Sequence, residues 1–440
     1  MAKKEVASPM TPQGNFLVMA PVAPGREEAL RDLLASMNSS CGIVDPQNAL
    51  VPFGRFERLH FARLLILTDP TEVDIAHYRV PVPHLAPTLA FFGDCDGSGE
   101  TMLAEFAGMA APGLRQIFSF CERFAPGADL LDWMRRHQQS AAAAYVNTVG
   151  RTVRQIREEA TLHDALADYL NGRANTIHEP QELRGNLVAY ATARQADGSL
   201  KLSEPEPTPI GWWIGNITNA VGGAILAALI TPLLLLFSPL FLWLLRRHET
   251  TDPQILPRPN RSGRADIAGR EDHDVTNPYI VIGCLKPGLF RLLTVTVLLS
   301  AVDFGARHIY NRGHIGRVQT IHFARWVFLN GRKQVFFASN YDGSLESYMD
   351  DFINKVGWGL NLLFSNGVGY PKTSWLLEGG ASNEQKFEYY IFRHQLPVDV
   401  WYKAYPGLTA FDLKRNSLIR EGLKKRSVTD DEAKQWLNLL

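Results

Sequence analysis

The spacing of apolar and polar positions predicts two successive sets of strands and helices. In the first half of the chain, strands are expected at 15–22, 58–67, 88–92 and 113–120, with helices at 26–37 and 98–109. In the second half, strands are expected at 279–283, 318–329, 334–340 and 360–365, with helices at 288–307 and 344–356. Both orders are those of a ferredoxin-like βαββαβ unit. The pattern therefore predicts an α+β protein.

The two sets also repeat one another in sequence. The motif His-Phe-Ala-Arg at 60–63 recurs at 322–325, and Asp-Gly-Ser-x-Glu at 96–100 recurs at 342–346. Two tandem ferredoxin-like units, packed as a pseudo-dimer, are therefore expected at 1–127 and 279–386. The remaining segments are interpreted as a helical insertion at 128–206, an apolar hairpin at 207–247, a polar linker at 248–278 and an aromatic-rich extension at 387–440. The extension has no counterpart in the first copy.

The apolar segment is the strongest indication of a membrane. Residues 207–245 carry no formal charge. This uncharged stretch is too long for one simple membrane span of about 20 residues. Pro232 and Pro239 divide it, so the sequence predicts a hairpin that dips into the bilayer and returns. Trp212, Trp213 and Trp243 are expected at the membrane interface.

A pseudo-dimer requires both units to lie on one side of the membrane, which favours the re-entrant, monotopic hairpin. A single span and a buried hairpin in a soluble core are the alternatives. No secretory signal is recognised at the start of the sequence, and arginines follow the apolar segment. We therefore expect a membrane-associated protein on the cytoplasmic face.

Composition narrows the functional classes. The 440 residues have a formal net charge of zero, which does not favour a nucleic-acid partner. The four cysteines show no Cys-x-x-Cys spacing, so reduced thiols are expected and a metal site built on them is not.

The repeated Asp-Gly-Ser-x-Glu has two readings. One is structural, a turn with glycine at positive φ followed by a helix N-cap. The other takes Asp96 and Asp342 as proton-handling carboxylates. The Asn-Gly turn at 330–331 pairs the central strands of the second unit, so each Asp should share a sheet edge with His60 or His322. These four residues are the candidate catalytic groups.

The repeated arginines are candidate ligand-binding residues. If Arg63 and Arg325 lie on the free faces of the two sheets, they could bind a carboxylate or a haem propionate. Alternatively, each is a buried arginine paired with a helix carboxylate such as Glu100 or Glu346. The second copy adds Asn340 and Tyr341, and it is the better candidate for a binding site.

One motif resembles a known family. Residues 93–97, Gly-Asp-Cys-Asp-Gly, fit the Gly-x-x-Asp-Gly motif of dye-decolourising peroxidases, which are tandem ferredoxin-like haem proteins. The resemblance implies a haem with an Asp on its distal side and an iron-binding His in the second domain, for which His308 is the nearest candidate. The second copy lacks the first glycine of the motif. The wider dimeric α/β-barrel group, which encloses small apolar ligands, is also similar.

Three functions follow as hypotheses. The first is a membrane-associated protein that binds an apolar or lipid-derived small molecule, with redox or acid-base chemistry as a possible activity. The second is a haem peroxidase. The third is a non-catalytic membrane anchor for a partner enzyme, with the helices of 128–194 as its interaction surface. The sequence identifies neither a cofactor nor a substrate.

Overall fold

The structure is a computed structural model that describes residues 11–40, 42–78, 86–172, 179–255, 269, 274–310, 313–315 and 317–440. It is a mixed α+β protein with antiparallel sheets and one long apolar helix. The described strands, in chain order, are β1 Gln13–Pro21, β2 Asn38–Ser40, β3 Ile43–Val44, β4 Leu59–Leu67, β5 Thr88–Asp96, β6 Ala143–Val146, β7 Thr276–Cys284, β8 Ile321–Leu329, β9 Gln334–Asp342, β10 Thr373–Ser374, β11 Glu378–Gly379 and β12 Val400–Lys403.

The described helices, in chain order, are α1 Glu27–Ala35, α2 Glu72–His77, α3 Gly99–Met109, α4 Ala111–Phe118, α5 Leu130–Arg136, α6 Val153–Asn171, α7 Pro180–Ala196, α8 Ile210–Thr251, α9 Leu289–His308, α10 Leu345–Phe364, α11 Glu384–His394, α12 Ala410–Leu423 and α13 Asp430–Leu437. Ser98 and Ser344 cap α3 and α10, as the repeated motif predicts. The Asn330-Gly331 turn joins β8 to β9 with positive φ at both residues.

Two four-stranded sheets dominate the fold, and each borrows a strand from the other repeat. The first sheet has the order β1-β5-β4-β12 and the second β6-β8-β9-β7. Strand β6 follows the first repeat in sequence but pairs with β8, while β12 follows the second repeat and pairs with β4. The extension after residue 387 therefore contains the counterpart of β6, so the prediction that it has none is wrong.

The predicted last strand of each unit is also wrong. Residues 113–120 lie mostly in α4, and residues 360–365 lie at the end of α10. Leu114, Ile117 and Phe118 are buried at helical spacing, which a short apolar run does not distinguish from a strand. The strands that complete the sheets are the four-residue β6 and β12.

The apolar segment is one continuous helix, so the predicted hairpin is wrong. Helix α8 has 42 residues and runs through both Pro232 and Pro239. Pro239 cannot donate a backbone hydrogen bond to the Leu235 carbonyl, but the Ser238 hydroxyl donates to that oxygen at 2.8 Å. Such local replacement of a lost bond allows a helix to continue through proline.

Helix α9 packs antiparallel along α8. Asn219 near the start of α8 contacts His308 at the end of α9, and Phe241 lies 5.4 Å from Phe290 between ring centroids. The other face of α9 is buried against the second sheet through Val295 and similar residues. The second apolar helix is therefore part of the folded body.

The inserted helices join the C-terminal helices in a separate cluster. Leu162 and Leu187 of α6 and α7 pack with Ile419 and Trp436 of α12 and α13. The inserted helices thus bury apolar residues against the C-terminal helices of the same chain. Most of the polar linker predicted at 248–278 lies outside the described residues. Its ends belong to α8 and β7.

Candidate functional site

The first of the repeated histidines lies in a β-bulge. His60 is the extra residue of β4 between two pairs with β5, and its Nε2 is 2.9 Å from Asp96 Oδ1. Its Nδ1 lies 3.0 Å from the hydroxyl of Tyr405. The other carboxylate oxygen of Asp96 accepts the backbone N–H of Val153 at 3.0 Å, at the start of α6. The Asp96 carboxylate thereby accepts a hydrogen bond from a backbone N–H at the N-terminus of α6, where a negative charge is favourable.

The second copy has the same arrangement. His322 occupies a bulge in β8, and its Nε2 is 2.7 Å from Asp342 Oδ1. Asp342 Oδ2 accepts the N–H of Ala410 at 2.7 Å, at the start of α12. The predicted meeting of His and Asp at one sheet edge is confirmed in both units. Both pairs are buried and hold the helix that follows each exchanged strand, so the geometry favours a structural role.

The repeated arginines lie between the two sheets. Arg63 donates to the carbonyl oxygen of Ser339 at 2.8 Å, and Arg325 donates to the carbonyl of Gly93 at 3.1 Å. Each arginine thus binds the backbone of the opposite sheet. Arg325 also forms an ion pair with Asp94. The alternative that Glu100 of α3 is the partner of a repeated arginine is not supported, because Glu100 pairs with Arg135.

The residues opposite the two arginines differ, and this difference creates a cleft. On β12, Trp401 pairs with Arg63, and the Arg63 guanidinium carbon lies 4.6 Å from the centroid of the indole ring. On β6, the residue paired with Arg325 is Ala144. Directly paired residues point to the same face of a sheet, so the Trp401 indole fills the space beside Arg63, while the small Ala144 leaves space beside Arg325, which is itself 3% exposed. A cleft of about 160 Å³ lies there.

The cleft combines residues from the second sheet, the first sheet and the apolar helices. Its polar lining includes the buried ion pair of Arg325 and Asp94 together with Arg307 of α9. Trp212 and Asn216, from the first turns of α8, line it as well. The structure therefore brings one predicted ligand-binding residue, Arg325, together with one predicted membrane residue, Trp212.

The other predicted binding residues do not line this cleft. We call the contact of each repeated arginine with the opposite sheet a seam. Asn340 is the counterpart of Asp94 in the repeat, so the seam at Arg63 lacks the carboxylate that pairs with Arg325 in the other seam. Its Nδ2 is buried and has no hydrogen-bond partner within the described part of the chain. Tyr341 stacks on Tyr348 of α10 with ring centroids 4.1 Å apart, on the helix-covered side of the second sheet. Both residues pack in the interior.

The remaining membrane residues lie along α8. Trp213 stands beside Trp212, with ring centroids 5.5 Å apart, and Trp243 near the other end is 56% exposed. Pro232 and Pro239 lie between them inside the helix. These positions agree with an interfacial role for the tryptophans, which stays a prediction.

The residues expected to hold a haem do not fit that group. His308 Nε2 lies 2.8 Å from Asn219 Oδ1 between α8 and α9, on the surface of the molecule. Asp96 is occupied by His60 and a helix N-terminus, and Phe92 and Phe336 meet between the sheets with centroids 5.5 Å apart. Among the described residues, no three His, Cys, Asp or Glu side chains are grouped to hold a metal ion.

A second polar cluster was missed by sequence reasoning. Asp74 of α2 accepts hydrogen bonds from Arg393 at 3.0 Å and lies 3.0 Å from His394 Nε2, both of α11. The sequence places these residues about 320 positions apart, so no local pattern connects them. The Arg-His pair at the end of an aromatic helix is the one signal that could have drawn attention to it.

The protonation states of this cluster follow from its burial. Burial, with the nearby charge of Arg393, lowers the pKa of His394 despite the opposing hydrogen bond and charge of Asp74, so the imidazole favours the neutral form. Burial alone would raise the pKa of Asp74, but the hydrogen bonds and charges of His394 and Arg393 hold it below its usual value. His394 Nδ1 has no partner among the described residues, and His394 lines a cavity of about 30 Å³, room for about one water. The cluster mainly joins the two halves of the chain.

Comparison with protein-family profiles, curated proteins and solved structures gives no significant match to this chain. The functional conclusion therefore rests on the geometry and chemistry of the cleft and of the apolar helices.

Proposed function

We propose that this is a monotopic membrane protein that binds the polar end of a lipid-derived small molecule in the Arg325 cleft. The proposed architecture is a tandem of ferredoxin-like units whose last strands are exchanged. The body lies on the cytoplasmic side, because Arg246 and Arg247 follow the apolar run of α8.

The exposure of α8 supports membrane association. Its most apolar 18-residue window has a mean hydropathy of 2.4 and contains no buried residue. A helix that is apolar on all sides and uncovered by protein is stable in lipid rather than in water. At 1.5 Å per residue the helix is about 63 Å long, roughly twice the thickness of the hydrocarbon core.

The strand order supports a one-sided arrangement. Strand β6 precedes α8 and β7 follows it, yet both belong to the second sheet. A crossing by α8 would place these two strands on opposite sides of the bilayer. The same argument applies to α9, because β7 precedes it and β8 follows it in that sheet. Both helices then lie along one leaflet.

The observation that carries the proposed ligand site is the junction of Arg325, Asp94 and Trp212 in one cleft. The ion pair offers both hydrogen-bond donors and an acceptor to a polar group, while Trp212 belongs to the helix that enters the lipid. A cleft of about 160 Å³ suits a head group, with the apolar remainder of the ligand lying along α8.

The difference between the two seams provides the test. Ala144→Trp should fill the Arg325 cleft as Trp401 covers Arg63, and Trp401→Ala is the matched change in the other seam. We expect native mass spectrometry of the detergent-purified protein to detect a bound lipid-derived molecule that Ala144→Trp loses and Trp401→Ala retains. An unchanged bound species in a folded Ala144→Trp variant would refute the proposed site.

A further inference from the structure

A second apolar element lies beside the end of α8. Between β10 and β11, Trp375 is 49% exposed and Leu377 is 71% exposed. This turn is adjacent to α8, because the Arg246 guanidinium carbon lies 5.6 Å from the centroid of the Trp375 ring. Arg246 Nη1 also lies 3.3 Å from the hydroxyl oxygen of Ser374. The exposed apolar surface of α8 is therefore extended by residues 375–377.

The backbone of this turn is held in an unfavourable conformation. Trp375 and Leu376 have φ angles of 55° and 60°, in the left-handed region that residues with a side chain rarely occupy. Glu249 of α8 stabilises it, since one carboxylate oxygen accepts the N–H of Trp375 at 2.8 Å and the other that of Leu376 at 2.9 Å. The hydroxyl of Thr373 donates to the same carboxylate at 2.9 Å.

This arrangement is an anion nest, in which successive backbone N–H groups enclose a carboxylate. Glu249 is 6% exposed, so its charge is compensated by the nest and by Arg246, whose Nη1 lies 3.3 Å from Glu249 Oε2, rather than by water. The strained turn is thereby fixed to α8 with Trp375 and Leu377 exposed, while Leu376 between them is buried. Arg246 lies beside the turn, Lys372 precedes it in sequence and donates to the Thr250 carbonyl, and the exposed Arg247 follows Arg246 in α8.

We propose that residues 375–377 form a second membrane-inserting element, which Glu249 holds in position, and that its partner is a leaflet containing anionic lipids. This inference rests on the proposed membrane association of α8. Trp375 and Leu377 enter the interface, and the bordering cations contact anionic head groups. Insertion at the end of α8 fixes the helix parallel to the membrane plane and orients the Arg325 cleft toward the lipid surface.

The test uses an environment-sensitive fluorophore attached to single introduced cysteines in the full-length protein. Leu377→Cys probes the turn, Leu235→Cys probes α8, and Phe411→Cys on α12 is a matched control. The three wild-type side chains are 71%, 69% and 69% exposed, so their starting environments are comparable. The labelled proteins are reconstituted into vesicles of phosphatidylcholine and phosphatidylglycerol, some of which contain a lipid with a spin-label quencher in its acyl chain.

Blue-shifted, quenched emission at 235 and 377 but not at 411 is the expected result. Insertion at 235 with an unchanged spectrum at 377 would overturn the inference and leave the proposed function intact. No insertion at 235 would refute both.

The role of Glu249 is tested in the Leu377→Cys and Leu235→Cys backgrounds. Glu249→Gln removes the charge and leaves a single carbonyl acceptor, so the nest cannot bind both N–H groups as before. We expect the label at 377 to lose its blue shift while the label at 235 keeps its own. Glu378→Gln, a change of an exposed neighbour on β11, is the control. Full retention of the shift at 377 in Glu249→Gln would show that the turn holds its conformation without the carboxylate.

Discussion

Ala144 and Trp401 occupy equivalent positions on the two exchanged strands, each directly opposite one of the repeated arginines. The Ala144 side chain is a methyl group and that of Trp401 contains an indole ring, so a cleft lies beside Arg325, whereas the indole fills the space beside Arg63. We call the first the open seam and the second the closed seam. Arg325 has the carboxylate of Asp94 beside it, and the counterpart of that carboxylate in the other seam is Asn340. The open seam is the one next to α8.

The ion pair at the open seam should matter for stability. Arg325→Met leaves Asp94 as a buried, unpaired charge, so we expect a loss of about 3–5 kcal/mol in the free energy of unfolding. Arg63→Met removes a hydrogen bond to a neutral carbonyl, and a loss of about 1–3 kcal/mol is expected. Denaturant unfolding in detergent measures both. The double variant Arg325→Met with Asp94→Asn should recover part of the loss, and equal losses in the two single variants would contradict the predicted asymmetry.

Removal of the apolar helix should release the protein from membranes. Deletion of 210–245 eliminates most of the exposed apolar surface but leaves Glu249 and its nest intact. The ends of the deleted segment lie roughly 54 Å apart, at 1.5 Å per residue, so a short linker would pull on the fold. A Gly/Ser linker of about 30 residues spans that distance with ease.

We expect this deletion variant to remain in the supernatant after ultracentrifugation, with a circular dichroism spectrum that loses only the helical signal of the deleted segment. Persistent membrane binding would show that the outer face of α9 and the 375–377 turn anchor the protein without α8. Aggregation would indicate that α8 is required for folding of the body.

The free energy of unfolding should decrease at acidic pH because of two buried groups, His394 and Asp74. Because the pKa of His394 is lowered in the folded state from its ordinary 6.5, the unfolded chain takes up a proton first as the pH falls below that value. The pKa of Asp74 is also lowered, so its contribution is present above its ordinary 3.8 and is lost below it. Urea unfolding at pH 7.5 and 5.5 measures the first effect. In His394→Gln the difference between the two pH values should shrink, and an equal difference would place the titrating group elsewhere.

The strand exchange should prevent the two halves from folding separately. The fragment 1–206 contains β6 without β8 and β4 without β12, which leaves two unpaired strand edges. We expect each fragment, 1–206 or 207–440, to aggregate when expressed alone and the two to co-purify when expressed together. A monomeric 1–206 fragment with cooperative unfolding would contradict this expectation.

Local patterns were sufficient for the long elements and insufficient for the exchanged ones. The nine-residue strands and the Asn330-Gly331 turn follow from apolar alternation and turn chemistry, and Ser98 and Ser344 follow from capping preferences. Strands β6 and β12 have only four residues each. Strand β6 pairs with residues more than 170 positions away and β12 with residues more than 330 positions away, so no pattern of neighbouring residues predicts either pairing. Helix α8 continues through Pro239 with the Ser238 hydroxyl donating to the carbonyl that the proline cannot reach, so a prediction that treats each proline as a helix end fails here.

The site was predicted in part for the same reason. Arg325 and Trp212 were recognised separately from a repeated motif and from interfacial preference. Their meeting in one cleft depends on the exchange of β6, because Ala144 on that strand pairs with Arg325 and lines the cleft with it. Asp74 and His394 come from different repeats, and the sequence gives no reason to place them together.

The exchanged strand also sets an order of events during synthesis. Strand β6 ends at Val146 and its partner β8 begins at Ile321, 175 positions later (321 − 146). At about 5–20 residues per second, β6 emerges from the ribosome roughly 9–35 s before it can pair. Helix α8 is completed within that interval and can reach the bilayer while the translating body is still open. If α8 associates with the membrane as proposed, attachment precedes closure of either sheet, and the lipid surface is present when the Arg325 cleft forms.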